Sequence, residues 1–193
     1  MPPYTKNAIV ASFIKIVSKK PLDRVTVRDI VDDCSVNRNT FYYYFQDVYA
    51  VVEEIFDAQG QRISDALEED DTLGEVFVSL VAFFEDNLKM IRSIYASSIR
   101  ENLEGYIYDA ARGIVERRVM REICRRNGGR EPGTHEREGV EELITFSANA
   151  FAGYILIWMR DGMKGDIASK LLTVSRNYEN GLKLYFESRL WLD

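Results

Sequence analysis

Proline is absent between positions 22 and 131, and through that stretch apolar residues recur at three- and four-residue intervals without sustained alternation or hairpin turns. Antiparallel sheets need both alternation and tight turns, so the pattern points to an all-α chain. At 193 residues the chain sits between one ordinary domain and two small ones, which suits a small domain joined to a larger one.

The spacing predicts the helices in order. Thr5 is a candidate N-cap for a first helix that carries Ile9, Phe13, Ile16 and Val17 on one face and ends at Lys19-Lys20 before Pro21. Thr26-Val27-Arg28-Asp29 has the form of a capping box opening a short helix over 27–33. Cys34-Ser35-Val36 is a break, after which Asn37 can cap a second short helix through Phe45. Val25, Val27, Ile30, Val31, Val36, Phe41 and Phe45 would form a small core with the first helix. A longer helix over 47–69 carries Val48, Val51, Val52, Ile55, Phe56, Ile63 and Leu67 as an apolar stripe. Further helices are expected near 73–86, 88–99 and 104–126, the last with Ile107, Ala111, Ile114, Val115, Val119 and Ile123 at helical spacing. A loop rich in Gly follows over 127–134, then two final helices over 136–161 and 166–188. The domain boundary is placed near residue 50, with residues 51–193 forming the larger helical domain.

A formal charge of −6 would argue against a polyanion partner if it were evenly spread. Residues 1–50, however, hold seven Lys or Arg against five Asp, a balance of +2, which leaves −8 on the other residues. A mildly basic head on an acidic body is compatible with modest non-specific affinity for DNA. The two cysteines, Cys34 and Cys124, make no disulfide framework and suit a reducing cytoplasm. The N-terminal residues lack the basic stretch and apolar run of a secretory signal, so a cytoplasmic location is expected. One histidine, His135, no Cys or His pair at ligand spacing and no phosphate-binding Gly-rich motif leave no basis for catalysis, a metal or a cofactor.

Residues 26–45 are the most informative. Two short helices joined by a tight turn, the second rich in polar and aromatic side chains, describe a helix-turn-helix. Arg38 and Asn39 can bond base edges bidentately, Thr40 can pack its methyl on thymine, and Tyr42 and Tyr43 can donate to phosphates. The helix start at Thr26 offers NH groups to a phosphate oxygen. Against this stands a plain reading of Phe41 to Phe45 as core aromatics, which Phe41 and Phe45 fit in either case.

Thr26-Val27-Arg28-Asp29-Ile30 followed by Cys34-Ser35-Val36-Asn37-Arg38-Asn39-Thr40-Phe41-Tyr42-Tyr43-Tyr44-Phe45 resembles the N-terminal signature of the TetR/AcrR family of bacterial transcriptional regulators. The match covers roughly residues 5–52. Within the family, the wording from Arg38 to Tyr49 is closer to a DhaS-type subgroup associated with dihydroxyacetone kinase genes. The resemblance implies a homodimer whose recognition helices enter successive major grooves of a palindromic double-stranded operator. Carried over by position, Thr26, Arg28, Asn37, Arg38, Asn39, Thr40, Tyr42 and Tyr43 are the implied DNA contacts. The family usually has Gly where this chain has Ser35, and a left-handed Ser costs roughly 1 kcal/mol more. It also often has a phosphate-binding Lys after the aromatic cluster, where this chain reads Gln46-Asp47-Val48-Tyr49.

The C-terminal part is less explicit. Phe84, Tyr95, Tyr106, Phe146, Tyr154 and Trp158 are candidates to line an apolar effector pocket, with ordinary helical core as the competing reading. Arg112, Arg117, Arg118, Arg121, Arg125, Arg126 and Arg130 make a basic helix that reads as a solvated face partly balanced by Glu116, Glu122, Glu136, Glu138, Glu141 and Glu142, or else as a site for an anionic effector or an extra DNA contact. The apolar run from Leu143 to Met159 is at the short limit for a membrane span and contains Thr145, Ser147 and Asn149. Its small residues instead favour close helix packing, so the helices over 136–161 and 166–188 are expected to pair between subunits as a four-helix interface. The function expected is a repressor whose operator binding is controlled by a ligand in the C-terminal domain. The alternative is a coregulator whose C-terminal domain binds a protein partner.

Overall fold

The computed structural model describes residues 3–66, 71–126, 128 and 134–187. Every regular element among them is helical: α1 (Pro3–Val17), α2 (Val27–Cys34), α3 (Arg38–Tyr44), α4 (Val48–Ala66), α5 (Leu73–Asp86), α6 (Leu88–Tyr95), α7 (Arg100–Arg126), α8 (Thr134–Arg160) and α9 (Ile167–Glu187), with a single 3-10 turn at Leu22–Arg24. The all-α expectation is met. Positions 67–69 of the expected fourth helix and most of the loop over 127–134 lie outside the described residues.

Two compact units divide the chain, and the division falls within α5 and α7. The first holds residues 1–65 and 83–103, the second 66–82 and 104–193.

In the first unit α1 packs against α2 and α6, and α2 against α3. The face read from the sequence is the one buried: Ile9, Phe13 and Val17 from α1 meet Ile30, Val31, Phe41 and Phe45. The buried Ser12 hydroxyl donates to the Ile30 carbonyl oxygen and also bonds Asp33, fixing α1 to α2 with a satisfied polar contact. Lys15 pairs with Asp33 and Lys6 with Glu54 (2.6 Å). The turn after α1 is tied to residues far along the chain, since the Leu22 NH donates to Ser93 Oγ (2.9 Å) and Ser98 Oγ donates to Asp23 (2.9 Å).

In the second unit α7 buries Ile107, Ala111, Ile114, Val115, Val119 and Ile123, the stripe read from the sequence. Phe77 stacks on Phe151 with centroids 4.4 Å apart, and Phe151 meets Tyr178 edge-on. Gly74 is required by the approach of α5 to α9, because a Cβ there would lie 3.3 Å from the Leu172 Cα and 3.1 Å from its Cδ2. Glu179 on α9 accepts from the Leu73 NH (3.0 Å) and from Arg118 Nε (3.1 Å), joining α5, α7 and α9 at one carboxylate. Glu122 is buried and surrounded by Arg118, Arg125 and Arg126, with Arg126 at 2.6 Å. Residues Gly139–Arg160 of α8 are long and apolar enough by composition to cross a membrane. Here that apolar surface is shared between the unit's core, through Ile144, Phe151, Ile155 and Met159, and one exposed stripe described below.

Candidate nucleic-acid interface

α2 and α3 begin as the sequence predicts. The Thr26 hydroxyl accepts from the Asp29 NH and the Asp29 carboxylate accepts from the Thr26 NH (2.8 Å), completing the capping box. Hydrogen bonds from Lys20 first, then from Thr26, hold the Asp29 carboxyl down at about 2. That carboxylate occupies the start of α2, where the sequence offered NH groups to a phosphate. α2 ends at Ser35, whose φ of 56° and ψ of 34° place it in the left-handed region while its NH donates to the Val31 carbonyl. At α3 the Asn37 Oδ1 accepts from the Thr40 NH (2.7 Å) and from the Thr40 hydroxyl (3.0 Å).

These contacts sort the sequence-predicted residues. Thr26, Asn37 and Thr40 spend side-chain oxygens on holding helix ends. Arg28 is exposed beside Asp32, its pair at 3.4 Å open to water and so weak. Arg38, Asn39, Tyr42 and Tyr43 form the exposed face of α3, Tyr43 being 69% exposed, while Phe41 on the opposite side is fully buried. Burying Phe41 and Phe45 fixes the rotation of α3 and so forces the other four outward. Among the described residues Arg38 has no carboxylate partner. Its Nη2 donates to the Tyr42 hydroxyl (3.1 Å), and its Cζ lies 5.5 Å from the Tyr42 ring centroid. Charge, amide and phenol groups therefore stand together on one exposed helix face, the donor and acceptor set that base edges and phosphates require.

Tyr49 and Asp47, at the positions following the aromatic cluster, have other tasks. Asp47 accepts from the Ala50 NH (2.9 Å) at the start of α4, and the Tyr49 hydroxyl lies 3.5 Å from Ser98 Oγ. The Leu22–Ser93 and Asp23–Ser98 contacts were invisible in the sequence because more than seventy residues separate the partners.

The six aromatic candidates are divided between the two units. Phe84 and Tyr95 fall in the first unit, and Tyr106, Phe146, Tyr154 and Trp158 in the second. Phe84 and Trp158 are buried, Phe146 is 76% exposed, and none of the six lines any of the three cavities described for the chain. In the second unit a cavity of about 400 Å³ is lined by Asp71, Thr72, Arg118, Arg121, Glu122, Arg125, Glu179 and Lys183. No group of three or more His, Cys, Asp or Glu among the described residues is placed to hold a metal.

The model for bacterial regulatory proteins of the tetR family matches residues 9–55. A second model of that family, described as a transcriptional regulator C-terminal region, matches residues 71–174, more than half of the chain. Chains of known structure also match, among them one titled dihydroxyacetone kinase operon activator DhaS. It is 14% identical, covers 93% of this chain and 97% of its own, and superposes with a TM-score of 0.72, which shows a shared fold. No curated protein sequence matches.

Proposed function

The chain belongs to the TetR family of bacterial transcriptional regulators, and from that premise we propose that it acts in the cytoplasm as a homodimeric repressor, released from a palindromic operator by a ligand bound in its second unit. The observation that carries the DNA half is the exposed face of α3. Arg38 and Asn39 read base edges, Tyr42 and Tyr43 meet the flanking backbone, and Thr26, Arg28, Asn37 and Thr40 contact phosphates or hold the helix ends beside them.

Dimerisation is supported by a stripe on α8. Gly139, Phe146, Ala150, Gly153 and Ile157 share one face at seven-, four-, three- and four-residue steps. Phe146 and Ile157 are exposed, and a Cβ added at Gly139 or Gly153 would meet nothing within 4 Å. On α9, Val174, Gly181 and Leu184 likewise leave an uncovered face. Small residues beside exposed apolar ones are what closely packed helix pairs use, and these two faces supply a four-helix contact between two copies. Ligand control is supported by the Arg-lined cavity of the second unit. A ligand releases DNA only if it binds more tightly to the arrangement in which the two recognition helices no longer match successive major grooves, roughly 34–36 Å apart.

The test is selection of duplexes from a random pool by the full chain, followed by a reporter placed behind the selected site. A palindromic consensus and reduced transcription are expected. Failure to enrich any sequence overturns the DNA-reading role, and raised transcription would make the chain an activator, as the DhaS structure is titled.

A further inference from the structure

Resting on the reading of α3 as the helix that enters the groove, we infer that Tyr42 is a positioning residue for Arg38, the two side chains acting as one unit that reads a guanine. Arg38 is the first residue of α3, the end of a recognition helix that meets base edges. An exposed arginine ordinarily samples many rotamers and must give up that freedom when it docks. Here its freedom is already reduced. Tyr42 lies four residues on, so the two side chains stand on the same face. The Tyr42 hydroxyl accepts from Arg38 Nη2 at 3.1 Å, and the guanidinium carbon stays within 5.5 Å of the ring centroid.

The ring is itself held. Phe41, fully buried in the core of the first unit, meets Tyr42 edge-on at 5.6 Å with an interplanar angle of 90°. A chain of contacts thus runs from the core through Phe41 and Tyr42 to the guanidinium. Accepting from Arg38 uses a lone pair of the phenol oxygen and leaves the Tyr42 proton to donate outward. The guanidinium keeps further N–H donors, and among the described residues no carboxylate pairs with it. Two donors in a planar fork match the O6 and N7 acceptors of guanine, the commonest specific contact of arginine in the major groove. Tyr42 aims that fork.

The test uses the full chain and the duplex consensus it selects, with fluorescence anisotropy on wild type, Arg38→Ala, Tyr42→Phe and the double variant. A second duplex carries deazaguanine, which lacks N7, at the guanine. Tyr42→Phe keeps the ring on Phe41 and removes only the hydroxyl. It is expected to weaken binding to the guanine duplex about fivefold to tenfold, the size of one ordinary exposed hydrogen bond. Its penalty for deazaguanine should shrink relative to wild type, and the double variant should lose less than the product of the two single losses. If Tyr42→Phe matches wild type, or if the two losses multiply in the double variant, the positioning role is overturned although α3 still reads DNA. If Arg38→Ala binds like wild type, the reading of α3 itself fails.

Discussion

Ser35 holds the turn between α2 and α3 in a left-handed conformation that an L side chain disfavours by roughly 1–2 kcal/mol. Ser35→Gly should relieve that strain, offset in part by the greater freedom of glycine in the unfolded chain, for a net gain of up to about 1 kcal/mol. A urea midpoint shifted upward at unchanged slope is the expected result, and an unchanged or lower midpoint would show the turn to be unstrained. Glu122 carries a different kind of load. Burial pushes its carboxyl up, but hydrogen bonds from Arg125 and Arg126 outweigh this and bring it to about 2. Asp29 is also lowered to about 2, by Lys20 and Thr26. Groups depressed in the folded state contribute their full stability above the ordinary carboxylate pKa and lose it as pH falls toward the folded value. Stability should therefore drop between about pH 5 and pH 2. Glu122→Gln leaves the surrounding arginines without their buried counter-charge and should cost about 3 kcal/mol at neutral pH. Its Tm should also fall less steeply with acid than that of wild type, and a parallel pH profile would assign the acid loss elsewhere.

Helix starts governed by contacts three residues apart were readable in the sequence. Thr26 with Asp29 and Asn37 with Thr40 are such pairs, and both are observed. The same chemistry starts α5 through Thr72 and Glu75 (2.8 Å) and α9 through Asp166 and Ser169 (2.9 Å), signals present in the sequence and missed there. Thr5 illustrates the opposite error. α1 begins at Pro3, whose fixed φ suits a first turn, so Thr5 lies inside the helix rather than capping it. α6 stops at Tyr95 instead of 99 because the Ser97 NH turns back to the Ile94 carbonyl (3.0 Å), tightening the chain so that α7 starts at Arg100. That Arg118, Arg121 and Arg125 of α7 share a cavity with Glu179 and Lys183 of α9 was not readable, since it depends on packing between distant helices. The uncovered stripe on α8 yields its own prediction. Gly153→Leu places a bulky side chain where two α8 helices are to approach, and its Cβ meets nothing within 4 Å in its own chain. Sedimentation should show a folded monomer in place of a dimer, whereas an unchanged dimer would move the contact to another face.

The charge of the chain now divides by engagement as well as by position. In residues 1–50 Lys6, Lys15, Lys20 and Arg28 are paired with carboxylates, while among the described residues no carboxylate lies within ion-pair distance of Lys19, Arg24 or Arg38. Two copies then offer six such cations, so the slope of log affinity against log salt should be no steeper than about −5. A steeper slope would bring the arginines of α7 into contact with DNA. A DNA-reading role for the chain depends above all on α3. Its most direct test is the affinity of the full chain for its selected duplex when Arg38→Ala and Asn39→Ala are combined. Each lost base contact is worth about 1–3 kcal/mol, so losing two should weaken binding by at least about thirtyfold with dimerisation and Tm unchanged. Undiminished affinity in that variant would contradict the account.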